Sequence, residues 1–361
     1  GDGVYKSLDG GKSWTHMGLK QSEHIGNILV DPRDSDVVYV ASEGPLWAAG
    51  GDRGLYQSRD GGSTWSLILE IDENTGITDI EFNPANPDII YAAAYERRRH
   101  IWGLMAGGPN GGIYKSTDAG ANWRKLANGL PKGAVGKIGL AVTPADPSLV
   151  YATIEADDEN KGFYRSADQG ESWKKKNSYI SGGTGPHYYQ ELTASPQTPD
   201  LVYQMDVFMH VTRDGGSTID YLGTGREKHS DNHAFWVDPD DDLHVLAGTD
   251  AGLYESFDQG TTWRHFPNMP ISQFYKVAVD NDLPFYNLLG GAQDLGTLFG
   301  PTRTMTTEGV RNQDWYVPLG ADGYAVAVDP EDTNIAYMEY QQGYMFRHHR
   351  DSNEVVHIQP Q

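Results

Sequence analysis

One eight-residue phrase recurs along this chain of 361 residues, and it limits the fold more than any other feature. It reads SLDGGKSW from Ser7 to Trp14, SRDGGSTW from Ser58 to Trp65 and STDAGANW from Ser116 to Trp123. SADQGESW follows from Ser166 to Trp173, then SFDQGTTW from Ser256 to Trp263, with a worn copy, TRDGGSTI, from Thr212 to Ile219. Each intact copy follows Gly-apolar-Tyr, as in GVYKS or GLYQS. The lead-in alternates apolar and polar residues and reads as a strand. Asp-x-Gly is turn chemistry: Asp hydrogen-bonds nearby backbone, and Gly supplies positive φ. The Ser hydroxyl is placed to tie the same turn, and the Trp opens a second strand that can pack against a neighbour. Self-similarity at this period predicts a repeat architecture. The acidic residues of the phrase then read as turn staples rather than catalysts.

A second phrase alternates with the first: a strand, a turn usually built on Pro, and a strand that usually ends in Tyr. Examples are ILVDPRDSDVVYVA near Pro32, IEFNPANPDIIYAA near Pro84 and LAVTPADPSLVYAT near Pro144. Further copies lie near Pro196, Pro239 and Pro330, with a variant around Asn281. Proline suits these turns because its φ is fixed and its missing N–H costs nothing there. Two hairpins per repeat make a four-stranded antiparallel unit of about 40 to 55 residues, the size of a propeller blade. The predicted fold is all-β: one β-propeller domain over residues 1–361, as a seven- or eight-bladed ring. Seven complete blades begin near residues 24, 77, 135, 187, 231, 273 and 323, after an N-terminal half blade, the outer hairpin of residues 1–18. A chain that opens inside a blade reads as a piece of a longer protein.

Composition narrows the function classes. Net charge is −22, from 28 basic and 50 acidic residues, a field that disfavours nucleic acid and anionic membranes. Neutral or cationic ligands suit it better. Zero Cys removes disulfides and thiolate metal sites. No apolar run reaches the roughly 18 residues that a spanning helix needs. No nucleic-acid or membrane partner is expected.

Alternating strands put the Pro turns and the Asp-x-Gly turns on one face and the long, irregular links on the other, among them Ala41 to Gly54, Tyr95 to Gly112, Glu155 to Gly162, Asn177 to Tyr189, Asp220 to His233 and Gly296 to Gly323. Long loops on a rigid scaffold are where binding and catalysis concentrate. There Trp47, Trp102, Trp315, Tyr95, Tyr188, Tyr189 and Tyr316 read as platforms for sugar rings or peptide side chains, or as loop anchors. Trp236, on a predicted inner strand, reads as core. His187 could cap a subsite, and Arg97 lies in the main basic cluster, RRRH. His229-x-Asp231-x-His233 would converge if extended. It could hold a divalent metal, supply Asp231 as a base, or plug the channel wall. Asp79, Glu191, Asp294 and Asp322 stand at similar mouths, and Glu191, Asp231, Asp294 and Asp322 are the catalytic candidates. Gln293 sits beside Asp294 among Gly290, Gly291 and Gly296, which imply close backbone approach or a bulge.

The pattern S-x-D-x-G-x-x-W resembles the Asp-box, or bacterial neuraminidase repeat. HSDNHAFWVDP (His229 to Pro239), GGAQDLG (Gly290 to Gly296) and DWYVPLGADGYAVAVDP (Asp314 to Pro330) resemble bacterial glycosyl-hydrolase-like and sortilin-like tandem-propeller proteins. The resemblance implies an extracellular or periplasmic bacterial protein. It implies either a glycoside-hydrolase-like propeller acting on a neutral glycan, or a non-enzymatic one holding peptides or proteins, so the expected partners are a glycan or peptide ligand and a second propeller of the same longer chain. Sialidases, which share the box, need an Arg cluster and an Arg-Ile-Pro segment that this sequence does not match. No cofactor is implied beyond the metal considered above.

Overall fold

In a computed structural model the described residues are 1–223, 227–269 and 271–360. Residues 224–226, within the link from Asp220 to His233, lie outside the described residues, as do 270 and 361. The described chain is almost wholly antiparallel strand. It divides into two compact units, Gly1–Phe266 and Pro267–Gln361. The first holds the hairpin Tyr5–Lys6 with Thr15–His16 and five blades, and the second holds two blades.

Blade 1 runs Ile25–Val30, Val38–Ser42, Gly54–Ser58 and Ser66–Leu69 in chain order, each strand antiparallel to the next. Blades 2 to 5 open on Thr75–Asn83, Ile138–Val142, Leu192–Ala194 and Asn232–Asp238. Blades 6 and 7 open on Lys276–Val279 and Val326–Val328. Each of these antiparallel sheets is a propeller blade.

The recurring phrase is a hydrogen-bonded staple. Ser58 Oγ donates to Asp60 Oδ1 (2.8 Å) and accepts from Gly62 N (2.8 Å), while Thr64 N donates to Asp60 Oδ1 (2.8 Å). The same three bonds recur from Ser7, Ser116, Ser166 and Ser256. Thr212 makes them in the worn copy. Bonds from Ser13, Thr64 and Ser172 to the ionised carboxylates pull Asp9, Asp60 and Asp168 down to about 2.

The two kinds of short turn meet on one face. Gly61 N donates to Asp36 O (2.9 Å), Ala119 N to Asp88 O (2.9 Å) and Gln169 N to Ser148 O (2.8 Å). Tyrosines of the second phrase tie one blade to the next: Tyr39 OH donates to Ala119 O and Tyr91 OH to Gln169 O, each at 3.0 Å.

Apolar clusters fill the space between blades. Tyr39 and Leu55 of blade 1 pack with Ile77, Ile80 and Ile90 of blade 2, and Ile113 and Leu126 of blade 2 pack with Ile138, Leu140 and Trp173 of blade 3. In the second unit Leu289 and Phe299 meet Ala336 and Met338. Neighbouring blades approach backbone to backbone: a Cβ on Gly139 would lie 1.7 Å from Gln190 O, and one on Gly291 would lie 2.2 Å from Tyr324 O. Asn287–Ala292 pairs with Gly296–Pro301 in unbroken register, so Gly290 and Gly291 serve close approach rather than a bulge.

Three expectations change. Trp236 is not core: it is 42% exposed, because the alternate positions Phe235 and Val237 face the blade 4 cluster. The stretch Tyr95–Gly112 is not an irregular loop throughout. The strand Asn86–His100 runs on past its blade and folds back through Gly103–Ala106. The stretch Gly296–Gly323 likewise contains two strands, Gly296–Pro301 and Tyr316–Leu319, whose hairpin carries no Asp-box to mark it.

Candidate functional site on the loop face of the first unit

The first link is held from beneath by one buried cation. Arg53 donates to the carbonyls of Pro45 (2.5 Å), Ala48 (3.2 Å), Asn74 (3.3 Å) and Glu43. The hairpin extension of blade 2 leans on the same link, with Arg99 N donating to Leu46 O (2.8 Å), while Arg97 N donates to Asn74 O (2.9 Å), one of the carbonyls that Arg53 holds. Two indoles are thereby fixed outward. Trp47 is 59% exposed, with the Arg99 guanidinium 6.0 Å from its ring. Trp102, at the hairpin tip, is 84% exposed and stacks on His100 at 5.0 Å.

Beneath this ledge lies a charged floor. Arg97 Nη1 pairs with Glu43 Oε2 at 2.8 Å. Lys137 connects two carboxylates: its N–H donates to Glu155 Oε2 (3.0 Å) and its Nζ to Glu191 Oε1 (2.5 Å). Burial raises the Glu155 carboxyl above its ordinary range. Burial also lowers His187, and Arg99, Lys137 and Arg97 add to the effect, which places the ring among these cations. Tyr95 is buried and pushed up by burial, with Glu155, Arg97 and Glu43 acting on it. Three buried atoms of this floor have no hydrogen-bond partner: Tyr95 Oη, Arg97 Nη2 and Glu191 Oε2. Such atoms are scarce in folded proteins.

Asp79, on the first strand of blade 2, accepts from Asn27 Nδ2 (3.0 Å), Leu140 N (3.0 Å) and Ile80 N (2.9 Å), so it ties three blades together. Burial outweighs these bonds and pushes it up to about 6, with Glu191 adding to the rise. Glu81, two residues on, is raised well above its usual range by burial and by Asp79.

The structure gathers Trp47, Trp102, Arg97, His187 and Glu191 into this region, with exposed Tyr188 beside His187 at 4.8 Å between rings. Tyr189 is no platform. It is 3% exposed, stacked on His233 at 5.2 Å, and its hydroxyl donates to Asp231 Oδ1 at 2.7 Å. The metal reading of His229, Asp231 and His233 does not hold. The strand begins only at Asn232 and Asp231 has φ 60°, so alternation fails where it was needed. His229 Nδ1 lies 3.0 Å from Ser230 O, and His233 Nε2 pairs with Asp250 at 3.0 Å. Among the described residues no three His, Cys, Asp or Glu side chains are placed to hold a metal ion.

The remaining candidates belong to the second unit. Asp294 N donates to Asp322 Oδ1 at 3.0 Å, and Gln293 Oε1 accepts from Tyr275. Trp315 covers Gly300, where a Cβ would lie 2.2 Å from the indole, so it anchors its own blade. The sequence reading missed Glu43, Lys137 and Glu155. The available signal was position: Glu155 directly follows the strand Val150–Ile154 at its loop-face end.

Residues 2–161 match the family described as Sortilin-Vps10, "Sortilin, neurotensin receptor 3". Several solved structures are similar to this chain. One is an ancestral GH74 enzyme, at 15% identity and TM-score 0.49, covering 99% of this chain and 67% of that one. Another is the GH74 enzyme of Niastella koreensis, at 17% identity and TM-score 0.47, covering 98% and 59%. A third is the GH74 xyloglucanase from Xanthomonas campestris, at 14% identity and TM-score 0.48, covering 99% and 61%. The chain thus spans 59% to 67% of the length of these enzymes. No curated protein matches it in sequence. The chain is an Asp-box repeat protein of propeller blades, similar to sortilin-like and glycosidase-like propellers. No helix among the described residues is long and apolar enough to cross a membrane.

Proposed function

We propose that the loop face of the first unit binds and cleaves a neutral glycan outside the bacterial cytoplasm. The carrying observation is the exposed pair Trp47 and Trp102 on a loop face that also presents the Glu191 carboxylate. Flat indoles stack on sugar rings. Cleavage calls for two carboxyls with different tasks. Glu155, raised by burial, holds its proton longer and acts as general acid. Glu191, ion-paired to Lys137, acts as base or nucleophile. A net charge of −22 suits a substrate without charge.

The test is glycan-array binding by the purified chain, followed by hydrolysis assays on the glycans that bind. Trp47→Ala with Trp102→Ala should abolish binding. Glu155→Gln and Glu191→Gln should keep binding and reduce cleavage at least about a hundredfold. Cleavage that survives both but is lost in Asp294→Ala or Asp322→Ala would move the site to the second unit. A folded sample that binds no glycan would sink the reading. The sortilin match spans Trp47, Arg97 and Trp102 and favours a second reading, in which this face holds a peptide. Peptide binding lost on Trp47→Ala, with no glycan binding, would select it.

A further inference from the structure

A cavity of about 390 Å³ lies in the first unit, between blades 4 and 5. Its floor is apolar and buried, with Met209 and Leu222, and its rim is aromatic and exposed, with Phe208 and Tyr221. Trp263, from the Asp-box of blade 5, forms part of the wall. Among the described residues the wall carries one lysine, Lys228, whose Nζ lies 5.5 Å from the Trp263 ring centroid, and one carboxylate, that of exposed Glu227.

The ammonium has three donors. One goes to Asn232 Oδ1, itself fully buried, and one to His229 O at 3.4 Å. No carboxylate among the described residues pairs with it within 4.0 Å. Burial accordingly lowers the amine to about 8, although Asp231 acts in the opposite sense. A half-buried ammonium without a counter-ion gains most from an anion, because the pair removes the cost of the isolated charge.

We infer that this cavity is a binding site for a compact aromatic or apolar carboxylate, its ring between Phe208, Tyr221 and Trp263 and its carboxylate on Lys228. The volume falls within the range of small-ligand sites, and few polar groups in an apolar chamber is their usual construction. The blade 2–3 groove gives a contrast. It has similar volume, about 370 Å³, but no aromatic ring lines it, and of its two lysines, Lys125 and Lys132, the first already donates to Pro109 O at 2.8 Å.

The experiment uses 2-naphthoate and its neutral counterpart 2-naphthamide, titrated calorimetrically into the whole chain. Naphthoate should bind saturably to one site. Lys228→Met should weaken it at least about tenfold and leave naphthamide unchanged. A second measurement needs no variant: acetic anhydride labelling mapped by mass spectrometry, where naphthoate should protect Lys228 and no other lysine. Absence of naphthoate binding overturns the inference. Equal binding to Lys228→Met, in a variant that melts like the parent, also overturns it, as does protection that falls elsewhere.

Discussion

The two faces of the first unit use the same residue types for opposite purposes. On the short-turn face, Trp173 is 4% exposed and its Nε1 donates to Gly170 O at 3.0 Å. On the loop face, Trp102 is almost fully in solvent. Asp168 on the first face is held ionised by bonds from Ser172 and Ser166. Asp79, on a first strand, is pushed towards its neutral form by burial. Repetition marks the positions where a side chain closes its own turn. Departure from repetition marks the positions where side chains have no such local task and can meet a ligand.

The largest test of that contrast is Trp173→Ala, which should cost about 3–5 kcal/mol by removing a buried indole from the blade 2–3 core. Denaturant unfolding reads it directly, and a loss under about 1 kcal/mol would mean that the box Trp is not a core element. Ser166→Ala comes next, at about 1–3 kcal/mol, because the buried N–H of Gly170 loses its acceptor.

The carboxylates sharpen the comparison through pH. Asp79 has a folded value near 6, above its unfolded value near 4. Between these the unfolded chain releases a proton that the folded chain keeps, so its contribution to stability is full below about pH 4 and is lost as pH rises through about 6. Asp60 and Asp168, held near 2, do the reverse: their contribution is present above about pH 4 and is lost as pH falls towards 2. Melting temperatures of Asp79→Asn between pH 4 and 7 should therefore decline less than those of the parent. Identical slopes would remove Asp79 as a source. The smallest effect on stability belongs to Trp102→Ala, within about 0.5 kcal/mol. The same variant should lose most glycan binding, and a large drop in melting temperature would instead make Trp102 a structural anchor.

The fold was legible because each Asp-box is a local object. Ser, Asp and Gly bond to one another within five residues, so spacing alone specifies the turn. The short Pro turns were equally local, and alternation along the strands placed them on the same face. The site was less legible. Trp47, Trp102, Arg97, His187 and Glu191 could be named from their loops, but Lys137 and Glu155 carry no pattern that separates them from other surface charges. Glu155 draws its raised pKa from burial, and its role from Lys137 reaching Glu191 across 54 positions of sequence. The triplet His229, Asp231 and His233 shows the converse error: a regular spacing lost its meaning when Asp231 adopted positive φ.

Sequence by itself determined the repeat, the blade, the staple in every box and the face that varies, since all of these rest on contacts between near neighbours. Only the tertiary structure decided which carboxyls are buried, which aromatic rings remain in solvent, and where Lys228 meets a cavity. Desolvation and long-range contact depend on what other blades bring to a side chain, and no local spacing encodes that.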